Sequence, residues 1–536
     1  MMARRSSPFA PLRHIAFTRI WAANLVSSLG TMIQGVGAAW LMTQITDSVD
    51  LVALVQTAMA LPVMLFALFG GAIADSFDRR RVMLLAQIFM LIMSGALAVV
   101  AFIGAIDAWS LLAFTFLIAT GTAIINPTWH ATVGDLVPRE DIPAAVGLHS
   151  LGFNLSRSLG PAIGGIIVVL AGAATAFLLN ALSFIAVIVA LLLWKPAPAA
   201  AARTPPEHLL TAVTTGIRYL AMSPPLLRVI ARNFIFGATS VAVVALLPSL
   251  AEQVIGGNAL TYGLLLGAYG AGAVVAAIAS SMIRQHLAPE TIIRIAFLSL
   301  AACGLLNAAG WLWASAIGLL MGGASWVLGQ TLFNVSMQLS APRWVVGRAI
   351  SFFHTASFGG MAVGGWLWGT AAEQFGIQPA LIVAAAAMAA GALLGFLLPM
   401  PPAAMQDLES VNRWQEPTTA LDLKPSSGTI HIEIAYRISE ADREDFLAAM
   451  VERRRIRRRD GAQHWMLLRD IHDPERWIER YRTPRWIDYI RHNLRRTKAD
   501  AAVHERLLAF HADSGAPIVN RYLEHPTIGS AELGRY

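Results

Sequence analysis

The stretch GAIADSFDRRR, residues 71–81, separates two long apolar segments and ends in three consecutive arginines. The apolar segments around it, 51–74 and 82–105, contain no charged residue. A helix needs about 20 apolar residues to cross the hydrocarbon core of a bilayer. Residues 51–105 therefore predict two membrane-spanning helices joined by a short basic loop.

Apolar segments of this length recur along the first three quarters of the chain and predict an all-α polytopic membrane protein. Of the 536 residues, 56% are hydrophobic and 14% are charged, whereas a soluble domain is about 25% charged. A single cysteine, Cys303, excludes a disulfide scaffold. The approximate bounds of the twelve predicted spans are 20–44, 51–74, 82–105, 109–134, 144–170, 174–194, 229–254, 260–283, 292–309, 311–339, 347–371 and 377–399.

Positive charge lies in every second loop of this arrangement. The intervening loops contain neither Lys nor Arg, and the acidic residues Asp47, Asp50, Asp107, Glu252 and Glu373 lie in or beside them. Because cytoplasmic loops carry the excess of Lys and Arg, the pattern predicts that both termini are cytoplasmic. No cleavable signal sequence is visible, so we expect a multi-pass protein of the inner (plasma) membrane.

The first half of the membrane part repeats in the second. Residues 19–24, RIWAAN, resemble residues 228–233, RVIARN, and Gly160 falls on Gly364 after a shift of 204 positions. Two six-helix halves in the same orientation form a parallel repeat. The predicted parts are an N-terminal half (1–194), a cytoplasmic central loop with an amphipathic helix (195–228), a C-terminal half (229–400), a tether (401–428) and a soluble α+β domain (429–536).

The loop at 71–81 resembles the signature loop of the major facilitator superfamily, in which a glycine and an aspartate precede a basic cluster. Gly71, Asp75, Arg79 and Arg80 occupy the matching positions. The resemblance implies a twelve-helix major facilitator fold and a conformational latch that stabilises the state closed to the cytoplasm. By charge alone, the same residues also fit an ordinary basic cytoplasmic loop.

The fifth predicted span is similar to the antiporter motif of the same superfamily, which ends in GPxxGG. Its matching residues are Gly147, Gly160, Pro161, Gly164 and Gly165. Ser156 replaces a glycine of the motif. Glycines let helices approach closely and Pro161 removes a backbone donor, so generic helix packing is the alternative interpretation. The motif implies export.

The segments 136–140, LVPRE, and 154–157, NLSR, resemble a narrower branch, the enterobactin-exporter-like transmembrane secretion effectors. The branch implies a proton-coupled secondary exporter of siderophores or drugs that acts from the cytoplasm and is not an enzyme. One feature departs from it: the fourth span, 109–134, has no Lys or Arg. The proton-transfer role of an arginine there does not carry over.

Arg157 lies 13 residues into the fifth span, roughly 20 Å from its start at 1.5 Å per residue. An arginine near the bilayer midplane is costly, so it should face a cavity or a partner. No Asp or Glu lies at similar depth, which favours an anionic or neutral substrate; a structural role for Arg157 beside Pro161 is the alternative. The neutral candidates for substrate binding are Asn24, Gln34, Gln56, Asn126, Asn154, Asn233, Gln330 and Asn334.

The last quarter of the chain has a different composition: residues 406–536 hold 22 of the 40 Lys and Arg. Strand patterns at 429–436, 463–471, 479–482 and 518–523 alternate with helix patterns at about 440–455 and 483–510. This order predicts a ferredoxin-like α+β unit. It resembles the barrel of antibiotic-biosynthesis monooxygenases, which implies a homodimer through this domain. No cofactor fingerprint or metal-ligand spacing is present. A tail docked on its own membrane domain, a tail with an enzymatic role, and a sensor whose tail only dimerises remain alternatives.

Six arginines crowd the seven positions 453–459. They predict a solvated helix end near anionic lipid. Nucleic acid is not expected as a partner, because the tail is nearly neutral.

Overall fold

The computed structural model describes residues 9–138, 140–195, 209–342, 344–401, 416–495, 497–513 and 515–525, without the side chains of 67–76, 126–127, 130–131, 143, 209–213 and 215. It divides into two compact units. The membrane unit comprises Met1–Pro206, Arg228–Met337 and Ile350–Met400, and the C-terminal unit comprises Glu207–Leu227, Gln338–Ala349 and Pro401–Tyr536.

Long apolar helices account for the membrane unit. Ten helical segments of the described chain are long and apolar enough to cross a membrane. The helices up to residue 397 are α1 (Ile15–Ile45), α2 (Val49–Ser76), α3 (Arg79–Phe102), α4 (Ala108–Leu136), α5 (Ile142–Leu193), α6 (Leu209–Ala221), α7 (Pro224–Ser249), α8 (Ala259–His286), α9 (Pro289–Ala308), α10 (Leu312–Leu339), α11 (Val346–Phe375) and α12 (Ile377–Leu397). Of these, α6 belongs to the C-terminal unit.

Two of the predicted spans are merged in α5. Gly172 breaks this 52-residue helix with φ +82°, a backbone conformation that glycine adopts without strain. The break lies between the predicted spans 144–170 and 174–194. The eleventh predicted span corresponds to α11, which is not among the ten segments because small and polar residues interrupt its apolar ones. The predicted all-α polytopic fold is confirmed.

The internal repeat appears as the same helix contact made twice. In the first half, a Cβ on Gly160 of α5 would lie 2.5 Å from Cβ of Met32 on α1. In the second half, a Cβ on Gly364 of α11 would lie 2.7 Å from Cγ1 of Val241 on α7. Met32 and Val241 are separated by the same 209 positions as the repeated segments 19–24 and 228–233. Glycine is required at both places because the helices touch there.

The C-terminal unit contains a four-stranded antiparallel sheet in the order β2-β3-β1-β4. Its strands are β1 (Ile430–Arg437), β2 (Gln463–Arg469), β3 (Arg476–Thr483) and β4 (Ile518–Leu523), and its helices are α13 (Arg443–Arg459), α14 (Trp486–Leu494) and α15 (Lys498–Ala509). The order β-α-β-β-α-β confirms the predicted ferredoxin-like arrangement. The predicted helix 483–510 is two helices, because Thr497 forms a capping box with Asp500 and starts α15.

One face of the sheet forms the core of this domain. Alternate residues of β1 and β3 join the helices in it, among them Ile432, Phe446, Met450, Tyr481 and Leu507. No described element of the domain covers the opposite face, where Met466, Ile518 and Tyr522 are exposed.

The interpretation of 453–459 as a solvated helix end was wrong for three of its arginines. Arg453 and Arg457 are buried beneath the sheet, where both contact the carboxylate of Glu479 on β3. Burial alone would raise the pKa of Glu479, but the charges of Arg457 and Arg453 outweigh it and lower that pKa to about 2. Arg459 pairs with Asp460 and Asp500. The acidic partners lie on other elements or beyond the helix end, so the run 453–459 alone did not indicate the burial.

Two segments distant in sequence belong to the same unit as this domain. The guanidinium of Arg459 lies 5.0 Å from the ring centre of Tyr219 on α6, and that of Arg495 lies 4.3 Å from the ring of Trp344. Tyr219 and Trp344 meet edge to face at 5.2 Å. On α6, Leu220 is buried and Ile217 is half exposed, while Leu209, Leu210 and Val213 lie outside the described side chains.

Candidate functional site

The two halves of the membrane unit cross where α5 meets α8. A Cβ on Gly165 would lie 2.7 Å from the carbonyl oxygen of Ala259, and one on Gly263 would lie 2.6 Å from that of Pro161. Five residues before Gly165 toward the helix start, Gly160 packs on α1 instead. A side chain at Gly270 would meet the carbonyl of Arg157 at 2.5 Å. The backbones of the two helices therefore touch along the segment that contains the antiporter motif.

Arg157 lies at this crossing. Its guanidinium sits 5.6 Å from the ring centre of Tyr269 on α8, a cation–π contact between the halves. Tyr269 is buried. Among the described residues, no carboxylate lies within ion-pair distance of Arg157. In the structure, the group that Arg157 faces is therefore an aromatic ring of the other half. Tyr269 was missed, because nothing in its local sequence indicates which helix it faces.

Of the remaining residues of the antiporter motif, Gly164 and Ser156 are packed against other atoms, whereas Gly147 has open space beside it in the described part of the structure. Gly164 packs on α1, where its Cβ would lie 3.1 Å from Cα of Ile33. Ser156 is fully buried and donates to the carbonyl of Gly152 at 3.0 Å, so its hydroxyl is satisfied within α5. At Gly147, no described atom lies within 4 Å of the position that a Cβ would occupy.

A second crossing joins α2 to α11. The carboxylate of Glu373 accepts hydrogen bonds from the backbone N–H groups of Val49 and Asp50, at 2.6 and 3.4 Å, and so caps the first turn of α2. Thr57 donates to the carbonyl of Ala362 at 2.9 Å. A Cβ on Gly369 would lie 2.7 Å from Cβ of Ala53. Gly369 follows Gly165 by 204 positions, so equivalent glycines stand at both crossings.

Two amides predicted to bind substrate lie on α1 in different surroundings. Gln34 is buried, and its Oε1 accepts from Ser94 at 2.8 Å and from Asn180 at 2.5 Å. This network ties α1 to α3 and α5, which gives Gln34 a packing role. Asn24 is half-buried, and its side chain makes no hydrogen bond with the described residues.

The amides of the second half are partly engaged. Asn233, fully buried, donates to the carbonyl of Phe353 at 3.1 Å, while its Oδ1 has no partner among the described residues. Gln330 donates to the hydroxyl of Ser357 at 2.8 Å. Asn334 is half-buried on α10.

Three further candidates complete the predicted set. Asn154 donates to the carbonyl of Ser150 on its own helix at 2.8 Å. Gln56 is half-buried on α2, without a side-chain hydrogen bond among the described residues. Asn126 lies on α4, with its side chain outside the description.

The predicted latch residues that the structure describes contact the first half. Arg79 donates to Asp135 of α4 at 2.9 Å, and Arg80 donates to the carbonyls of Leu191 and Leu192 at the end of α5. A basic side chain satisfies the free carbonyls of a helix C-terminus in this way. The side chain of Asp75 and the surroundings of Gly71 lie outside the described part of the structure.

The sequence also matches a known family of membrane proteins. The chain matches the transmembrane secretion effectors over residues 6–527. The chain belongs to this family. It is a multi-pass membrane transporter of the major facilitator type and not an enzyme. The resemblance of the C-terminal domain to monooxygenase barrels stays a resemblance.

Curated relatives of this secretion effector are transporters of small molecules. It is 24% identical to the staphyloferrin A transporter of Staphylococcus aureus over 272 residues, which are 50% of this chain and 67% of that protein. It is 25% identical to the enterobactin exporter EntS of Escherichia coli over 373 residues, 66% of this chain and 85% of that protein. With macrolide efflux protein A of Streptococcus pyogenes it shares 25% over 153 residues, 28% of this chain and 38% of that protein.

Solved structures show the same fold at low sequence identity. A bacterial homologue of the lysosomal transporter Spinster, in an inward-facing conformation, is similar with a TM-score of 0.55 at 14% identity, over 72% of this secretion effector and 95% of that chain. A POT family transporter in complex with a peptide conjugate gives a TM-score of 0.60 at 13% identity, over 71% and 95%. These likenesses confirm the major facilitator fold of the membrane unit.

Proposed function

We propose that this protein is a secondary active exporter that carries a small anionic or neutral organic molecule from the cytoplasm across the inner membrane. The observation that carries the proposal is Arg157. This arginine lies at the crossing of α5 and α8, over the ring of Tyr269, and has no ion-pair partner among the described residues. Arg157 is half-buried, and a guanidinium within a membrane span that has no carboxylate partner is stabilised by an anionic ligand.

The internal repeat supports a role for Arg157 in function rather than in the fold. Met361 occupies the position 204 residues later, which is the equivalent place in the second half. Glycines required for packing recur at both places, as Gly160 and Gly364 do. The arginine does not recur, so the helix crossing itself does not need it.

The relatives support a substrate of the siderophore or drug type, and the GPxxGG motif supports proton-coupled antiport. The alternation of arginines between loops supports cytoplasmic termini. On that orientation, Glu373 and the start of α2 lie at the outer face, and the contacts between the halves that involve Val49, Gly165 and Gly369 are closed there. We take the described conformation as open to the cytoplasm, with Asp75, Arg79 and Arg80 as the latch of the opposite state.

Loss of the charge at Arg157 should selectively weaken the binding of an anionic substrate. In proteoliposomes of the full chain, Arg157→Gln should lower the affinity for a catecholate siderophore by about tenfold or more, since a charge-assisted hydrogen bond contributes about 1.5–3 kcal/mol. The uncharged methyl ether of the same siderophore should be affected less. Arg157→Lys, which keeps the charge, should retain most of the binding.

Two outcomes would contradict this assignment. Equal loss of affinity for the charged and the uncharged compound would show that Arg157 acts on packing. Full transport of the siderophore by Arg157→Gln would remove Arg157 from the binding site.

We further propose a homodimer through the C-terminal domain. The uncovered face of its sheet carries Met466, Leu468, Ile518 and Tyr522, all of them exposed. This open face combines those apolar side chains with charged ones such as Glu433 and Arg480, and a second copy would supply a cover of the same shape.

Negative charge introduced on this face should dissociate the dimer into monomers. The full chain in detergent should have the mass of a dimer by light scattering, and the double variant Ile518→Glu with Tyr522→Glu should have that of a monomer. Val451→Glu is the matched control, because Val451 is 71% exposed on α13, on the other side of the sheet. A monomeric wild-type chain at high concentration would overturn the proposal.

A further inference from the structure

A cavity of about 230 Å³ lies inside the C-terminal domain, between the sheet and its helices. All its lining residues belong to positions 434–521, so it is separate from the membrane helices. Much of its wall is apolar or aromatic, from residues that include Ile434, Ile456, Leu508, Tyr481 and Val519. Ligand pockets combine such a wall with a few polar groups that fix the orientation of the ligand.

Two buried arginines in this wall share one carboxylate. Arg457 donates through Nε to Glu479 at 3.0 Å and through Nη1 to Nε2 of His492 at 2.8 Å. Arg453 is 3% exposed, and its Nε lies 3.4 Å from Glu479. The terminal amino groups of Arg453 make no hydrogen bond with the described residues. These amino groups keep accessible surface in the cavity wall, so an acceptor inside the cavity can reach them.

The rest of the wall does not neutralise this charge. Arg521, at the exposed edge on β4, donates to the hydroxyl of Tyr489 at 2.7 Å and has no carboxylate partner among the described residues. Asp460 and Asp500 also line the cavity, and both hold Arg459 at 2.8 Å. Burial lowers the pKa of His492 well below its usual value, and Arg457 lowers it further, so this imidazole is neutral. Three arginines and two carboxylates line the cavity, and their partners Glu479 and Arg459 bring the count to four arginines and three carboxylates, which leaves one positive charge in excess.

We propose that this cavity binds a small organic anion, a single-ring or branched carboxylate, with its carboxylate on Arg453 and its apolar body against Tyr481, Leu508 and Val519. The planar guanidinium of arginine offers two parallel N–H donors that match a carboxylate. The cavity has the volume of about eight water molecules at about 30 Å³ each, which fits a compound of this size.

The same cluster reaches the helix that links the two membrane halves. Asp460 and Asp500 hold Arg459, and the guanidinium of Arg459 stacks on Tyr219 of α6. An anion bound beside these groups changes the electrostatic field around Arg459 and thereby its contact with α6. The C-terminal domain therefore acts as a ligand sensor for the transporter. This second part rests on the proposed transport function, whereas binding to the cavity does not.

Binding is tested on the full chain in detergent by calorimetric titration with benzoate, benzamide and acetate. Benzoate should bind more tightly than benzamide, which lacks the charge, and more tightly than acetate, which lacks the ring. Arg453→Gln should lower the affinity for benzoate by about tenfold or more. Arg458→Gln, which changes an exposed arginine on the same helix, should leave benzoate binding unchanged.

A variant that leaves every ion pair intact protects the test against misfolding. Ala516 lines the cavity and is exposed, so Ala516→Trp should fill the space and abolish benzoate binding. Absence of benzoate binding to the wild-type chain, equal affinity for benzamide, or binding unaffected by Ala516→Trp would each overturn the site.

The sensor role has its own measurement. Benzoate should change the rate at which the wild-type protein transports the catecholate siderophore. Tyr219→Leu should still bind benzoate, but its transport rate should no longer respond to benzoate. Wild-type transport that ignores bound benzoate would overturn the coupling and leave the cavity site standing. A protein that binds benzoate but transports nothing would instead contradict the proposed transport function.

Discussion

The variant Gly165→Leu should transport at least about fivefold more slowly than the wild-type protein, while it is still produced and inserted. A Cβ at this position would lie 2.7 Å from the carbonyl oxygen of Ala259 and 3.2 Å from Cα of Leu260. These are backbone atoms, so the clash is relieved only by separating α5 from α8. Overpacking of this kind costs about 1–3 kcal/mol. Applied to one of two conformations, that shifts their ratio about 5–150-fold.

Gly147→Leu is the matched control within the same motif. No described atom lies within 4 Å of the added Cβ there, so transport should stay within about twofold of wild type. Gly369→Leu, at the equivalent crossing of α11 with α2, should reproduce the loss seen for Gly165. Transport rates in proteoliposomes, normalised to inserted protein, measure all three. Normal transport by Gly165→Leu would show that the α5–α8 contact is not part of the cycle.

The fold was largely predictable because the bilayer imposes length and polarity on every span. The division between the fifth and sixth spans was placed at 170–174, and the break occurs at Gly172. In the C-terminal domain, the strand predicted at 429–436 from alternating apolar residues is β1, Ile430–Arg437. The end of α14 was missed, because the capping box of Thr497 and Asp500 lies inside a region with continuous helical propensity.

The site was predictable only in part. The depth of Arg157 follows from its distance along the span, but its partner Tyr269 depends on which faces of α5 and α8 meet. Membrane helices are apolar all round, so periodicity does not identify the inward face. Gln34 and Asn24 illustrate this: both are amides of α1, and only Gln34 faces the buried groups of Ser94 and Asn180.

Glu479→Gln should destabilise the C-terminal domain by about 3–5 kcal/mol, the usual effect of removing one partner of a buried ion pair. Glu479 is fully buried, and it accepts hydrogen bonds from Arg453, Arg457, Trp465 and Tyr436. Glutamine keeps the shape and an acceptor oxygen, but it leaves two buried guanidiniums without a counter-charge. Hydrogen exchange of the amides of β1 and β3 in the full chain measures the loss.

Glu433→Gln is the control for this prediction, because Glu433 pairs with Arg480 on the other face of the sheet. That arginine is nearly half exposed, and such pairs contribute about 0–1 kcal/mol. Acid should act on Glu479 as the substitution does. Because the folded pKa is lowered to about 2, the stabilisation is complete above the unfolded value near 4.5 and is lost as the pH falls from there toward 2. If Glu479→Gln were as stable as Glu433→Gln, the two buried arginines would not depend on this carboxylate.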